Sequence, residues 1–117
     1  MIALSNIFTI IVIVVHFYIM ILEMFFWTKP LGLKAFRMSE EKAKDSAVLA
    51  MNQGLYNGVL GLGLIYASFS GNIEMKLFFL ASIILLGLFG GFTAHKKIIF
   101  VQALPALIAF IATIFIK

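Results

Sequence analysis

The sequence predicts an all-α fold: an integral membrane four-helix bundle with short loops and both termini on the extracytoplasmic side. Three observations carry this expectation. Hydrophobic residues make up 63% of the chain and charged residues 12%, against about 45–50% and about 25% in soluble domains, so the chain cannot clothe itself in polar surface. The apolar residues fall into four runs, each of a length that crosses a hydrocarbon core of roughly 30 Å at ~1.5 Å per helical residue. The basic residues gather in two of the three connections, and such a bias puts those loops in the cytoplasm. Residues 1–117 then form a single four-span domain of the cell membrane.

The first span is expected over 2–26, an almost unbroken run of Ile, Val, Phe, Leu and Met. No Lys or Arg precedes Lys29 and no small-residue cleavage site follows, so the segment reads as a retained helix and not as a secretory signal. Phe25, Phe26 and Trp27 mark its interfacial end, and Pro30 and Gly32 break it. The polar stretch 28–45 follows, with Lys29, Lys34, Arg37, Lys42 and Lys44 set against Glu40, Glu41 and Asp45. Ser39 before two acids is a helix start, and the helix is expected to run on from Glu40 into the membrane, an amphipathic extension over 39–46.

The second span is expected over 46–69, the third over 77–94 and the fourth over 98–116. Ser70, Gly71 and Asn72 make the turn between the second and third, and His95, Lys96 and Lys97 a tight connection between the third and fourth. Pro105 removes its own amide hydrogen and frees the carbonyl of Val101, which predicts a kink beside Gln102. Lysines and arginines divide seven to two: five in the first loop and Lys96 and Lys97 in the third, against Lys76 and Lys117.

The composition also excludes chemistry. Without cysteine there is no disulfide, thiolate nucleophile or Cys metal site. A net charge of +4 arises from basic residues flanking apolar segments without interleaved stacking aromatics, which reads as topology and headgroup contact and not as nucleic-acid binding. Ser46, Ser68, Ser70 and Ser82 have no paired histidine at helical spacing, and no phosphate-binding glycine loop is present, which argues against an enzyme. His16 and Glu23 lie about 10 Å apart along the axis, too far to share one metal. No catalytic residue, metal or cofactor is expected.

What remains are polar residues inside the spans. His16 and Glu23, seven apart, fall within about 20° on one face of the first helix. Asn52 with Tyr56, and Gln53 with Asn57, are i,i+4 neighbours on the second. Thr93 and Gln102 stand at a similar depth on the third and fourth. Buried polar groups in lipid need partners, and intramembrane ionisable residues mark function by default. Two readings stand for each group: Glu23 as an interfacial acid or as a bundle-facing one, His16 as a bonded core histidine or as part of a site, the amides as interhelical glue or as pocket lining. The pocket reading joins Glu23, Asn52, Gln53, Tyr56, Asn57, Gln102, His16 and Thr93 in a cytoplasm-facing chamber for a small amphipathic molecule or lipid headgroup. The alternatives are a proton-coupled transporter acting as a dimer, with Glu23 alternately protonated and bound to a cation, and an accessory subunit. Gly54, Gly58 and Gly61, like Gly87 and Gly91, have close-packing spacing. The expected partners are therefore the lipid bilayer, a small amphipathic ligand, and a second copy docked as a homodimer through the glycine faces.

Three ordered stretches also carry a likeness: the run from His16 through Glu23 to Trp27, the run Leu49-Ala50-Met51-Asn52-Gln53-Gly54-Leu55-Tyr56-Asn57-Gly58, and Val101-Gln102-Ala103-Leu104-Pro105-Ala106. The chain resembles, over essentially its whole length, the bacterial membrane family catalogued as domain of unknown function 1304. That resemblance implies a four-helix integral membrane protein and brings no catalytic residues. Met51 stands where a second alanine is expected.

Overall fold

The computed structural model describes residues 1–117 and is helical throughout. Its elements are α1 (Ile2–Phe25), α2 (Pro30–Phe36), α3 (Glu40–Asp45), α4 (Ala47–Phe69), α5 (Ile73–Thr93), a π-helical turn (Ile99–Ala103) and α6 (Leu104–Ile116). Four segments are long and apolar enough to cross a membrane: α1, α4, α5, and Ile99–Ile116, which joins the π-turn to α6. An all-helical chain of this kind is compatible with a four-helix membrane bundle. Residues 16–59 form one compact unit, and 1–15 with 60–117 form the other.

In the unit 16–59, Pro30 does more than end the first span. Its fixed φ and missing N–H suit the first position of a helix, and it starts α2. That short helix closes on Arg37, whose φ of 52° and ψ of 52° are left-handed; Leu33 O accepts the Arg37 N–H and the Met38 N–H at 3.1 Å. Ser39 then caps α3 as its sequence position predicts, accepting the Lys42 N–H at 3.1 Å.

The expected continuous helix from Glu40 into the membrane does not form, because α3 ends at Asp45 and α4 begins at Ala47. The cause is Ser46. A serine hydroxyl competes with the backbone ladder, and here Ser46 Oγ donates to Lys42 O at 2.7 Å while accepting the Trp27 indole N–H at 3.1 Å. Trp27 also packs tilted on Phe36, ring centroids 4.8 Å apart. One indole therefore holds the end of α1, the end of α2 and the break before α4.

In the other unit, Val12, Leu64, Leu80, Ile83, Ala106 and Ala109 form the buried core. Small residues let the helices approach: a Cβ added to Gly87 would lie 2.9 Å from the amide nitrogen of Ala103. The turn at Gly71 uses φ of 68°, a conformation glycine adopts freely. Asn72 then caps α5, accepting the Met75 N–H at 3.0 Å. This cap starts α5 at Ile73 and not at the expected residue 77, so Lys76 belongs to the helix. Before Pro105 the chain widens into the π-turn, and the Leu104 N–H reaches Ile99 O, five residues back. A π-turn is the form in which this helix absorbs the proline's clash with the preceding turn.

Candidate functional site

Two polar clusters interrupt the apolar helices, one in each unit. The first is Glu23 with Asn57. Glycine lets α1 and α4 approach here: a Cβ on Gly54 would stand 2.6 Å from Met24 Cγ and 3.1 Å from both Glu23 Cβ and Met20 O, and one on Gly58 would stand 2.5 Å from Met20 Sδ. At that separation Asn57 Nδ2 donates to Glu23 Oε1 at 2.7 Å and to Gln53 O at 3.1 Å. The interhelical bond engages one oxygen of a half-buried carboxylate. The acid keeps its other oxygen for a further donor.

The eight residues singled out in the sequence are placed differently from one another. Glu23 and Asn57 meet. Gln53 presents its carbonyl to Asn57 while its side chain is exposed. Asn52 is exposed and donates to Val48 O at 2.9 Å within its own helix. Tyr56 is 65% exposed. His16 is fully buried in α1. Thr93 and Gln102 belong to the other unit, where Thr93 donates to Phe89 O at 2.7 Å in α5 and Gln102 lies half-buried in the π-turn. The glycine faces are occupied inside the chain: Gly54 and Gly58 by α1, Gly87 and Gly91 by the π-turn. A second copy could dock on them only by displacing those contacts.

The second cluster has no counterpart in the sequence reading. Lys76, only 6% exposed, donates from Nζ to Ser5 Oγ at 2.9 Å. Thr113 donates to Ala109 O at 2.7 Å, which leaves the Ser5 hydroxyl as the donor in its 2.7 Å contact with Thr113 Oγ1. A chain of donors thus runs from ammonium to serine to threonine to carbonyl across α5, α1 and α6. Thr9, one turn beyond Ser5, is buried with an unpartnered hydroxyl. Beside the cluster, Lys117 pairs with Glu74. The only signal in the sequence was the recurrence of hydroxyls in otherwise apolar runs, Ser5 with Thr9 and Thr113; Lys76 had been counted as a loop charge.

Four helices long and apolar enough to cross a membrane, with ionisable and amide side chains among them, are compatible with a small polytopic membrane protein. The chain belongs to the family described as protein of unknown function (DUF1304), whose profile matches residues 10–114. It is 44% identical over 103 residues, 85% of this chain and 87% of the relative, to the "Uncharacterized protein YpaA" of Lactococcus lactis subsp. lactis (strain IL1403). No solved structure matches.

Proposed function

We propose that this protein lies in the cell membrane with its first and third loops in the cytoplasm and both termini outside, and that Glu23 and Asn57 receive the polar head of a small amphipathic molecule or a lipid. The distribution of lysine and arginine supports the orientation, and in that orientation Glu23 lies in the cytoplasmic half of the bilayer. The observation that carries the binding reading is the 2.7 Å bond from Asn57 to a half-buried intramembrane carboxylate with one oxygen engaged. A carboxylate steadied by an amide is an acceptor for a head bearing N–H or O–H donors, and the helix surface around it takes the apolar remainder. Gln53, one turn before Asn57 on α4, extends the polar surface.

The test is thermal unfolding of the purified protein in mild detergent with a panel of lipids and amine-headed amphipaths. A ligand that raises the transition temperature of the wild type should not raise that of Glu23→Gln, which keeps an acceptor for Asn57 but loses the charge. Absence of a shift across the panel overturns the reading.

The same half-exposed acid supports a second reading, exchange of a cationic amphipath for protons by a dimer. In proteoliposomes with an imposed pH gradient, uptake of such a cation by the wild type and none by Glu23→Gln is the expected result; equal uptake by both removes it.

A further inference from the structure

The polar groups around Lys76 hold more donors than acceptors. An ammonium carries three N–H donors and no acceptor; one donor reaches Ser5 Oγ at 2.9 Å, which leaves two. Ser82, Thr93 and Thr113 each give their hydroxyl proton to the carbonyl four residues back. Thr9, 2% exposed, does not, and its Oγ1 has no partner. Thr9 lies one turn from Ser5 on the same face of α1, where side chains i and i+4 stand about 5–6 Å apart at Cβ. The remaining protons of Lys76 and Thr9 therefore lie within reach of one shared acceptor.

Charge points the same way. The ion pair of this end of the molecule joins Lys117 to Glu74, and no carboxylate lies within ion-pair distance of Lys76. A buried cation without a counter-charge is costly. Ser5, Thr9, Lys76 and Thr113 are each at most 6% exposed, too enclosed to admit a phospholipid headgroup, and all four belong to the unit formed by 1–15 and 60–117. A water accepts two hydrogen bonds and brings two hydrogens of its own that need acceptors. A monatomic anion accepts from all three donors, brings no hydrogen and neutralises the ammonium.

We propose that Lys76 and Thr9, with Ser5 steadying the ammonium, bind a small inorganic anion of chloride size as a structural counter-ion between α5 and α1. The ammonium supplies two charge-assisted hydrogen bonds, and the Thr9 hydroxyl supplies a third. Ser5 is the fourth residue of α1 and Lys76 the fourth of α5, each within about one turn of its helix end. The anion thus reaches the site from the water beyond those ends without crossing hydrocarbon.

The test is thermal unfolding in mild detergent, in sodium gluconate of fixed ionic strength into which sodium chloride or bromide is exchanged. The wild-type midpoint should rise with halide and saturate, and Lys76→Met should show no halide dependence. Thr9→Val, which keeps the shape and removes the proton, should need about tenfold more halide for half the shift, as for loss of one hydrogen bond to a charge. Crystals grown in bromide should show an anomalous peak beside Lys76 Nζ. Equal wild-type midpoints in gluconate and halide, a halide shift that persists in Lys76→Met, or a Lys76-dependent shift given by phosphatidylglycerol and not by halide each overturns the proposal. Should Lys76→Met fail to fold, Thr9→Val decides by itself, and half-saturation equal to that of the wild type overturns the proposal. These readouts are independent of ligand binding at Glu23.

Discussion

At Lys76 a cation is buried among hydroxyls whose protons are each committed to the next acceptor; at Glu23 an acid is held by one amide and keeps an oxygen available. The two clusters use the same currency of interhelical hydrogen bonds in membrane-length helices, yet one is closed and the other open. Closure follows from side-chain size. Ser5, Thr113 and Ala109 are small and leave Lys76 with little exposure, whereas Glu23 and Asn57 meet beside glycines and flexible methionines that cover only part of the carboxylate. A closed cluster clamps helices together, and an open one can also serve a ligand. Polar content alone does not separate the two roles; what matters is whether the neighbours cover the charged group, as at Lys76, or leave part of it open, as at Glu23.

The comparison can be broken most severely at the glycine contact. Gly54→Leu would drive a side chain into Met24 and against Met20 O, a backbone atom that cannot move aside; overpacking of this kind costs about 3 kcal/mol, measured as loss of stability in SDS titration from mild detergent. Next comes the closed cluster. Ser5→Val leaves the buried ammonium without its acceptor and should cost about 2 kcal/mol, while Lys76→Met, of similar shape and without charge, should stay within about 1 kcal/mol of wild type. Equal losses for the two would show that Lys76 contributes through its charge and not only through the need to satisfy it.

The open cluster should respond more mildly. Asn57→Leu removes one interhelical bond, worth about 1 kcal/mol, and Glu23→Gln, which retains an acceptor, should unfold within about 0.5 kcal/mol of wild type in the same titration. A Glu23→Gln loss as large as that of Ser5→Val would make Glu23 a second clamp. The smallest effect, of opposite sign, is expected outside both clusters. Arg37→Gly relieves a left-handed non-glycine residue and should stabilise by roughly 0.5–1 kcal/mol, read as a raised thermal midpoint.

Much of the fold was legible because its causes are local. Apolar run length announced the four spans, Ser39 stands where its cap acts, and Pro105 marked the irregularity that takes the form of a π-turn. Less of the polar chemistry was legible. Asn52, Gln53, Tyr56 and Asn57 look alike in sequence as members of one broad face, but the rotation of α4 turns Asn57 to α1 and leaves Asn52 and Tyr56 outside. Ser46 looked like one position in a continuing helix, and its break depends on Trp27, nineteen residues earlier. Lys76 read as a loop residue because the cap at Asn72 adds one turn to the start of α5.

By itself the sequence determined that this chain is made of helices long and apolar enough to cross a membrane, since hydrophobicity summed over about twenty residues needs no knowledge of neighbours. Only the tertiary structure decided that Glu23 pairs with Asn57, that Lys76 is enclosed by Ser5 and Thr113, and that Asn52 and Tyr56 face outward. The physical reason is that a hydrogen bond between helices depends on their rotation and separation to within about an ångström, and those are set jointly by glycines and side chains far apart in the chain.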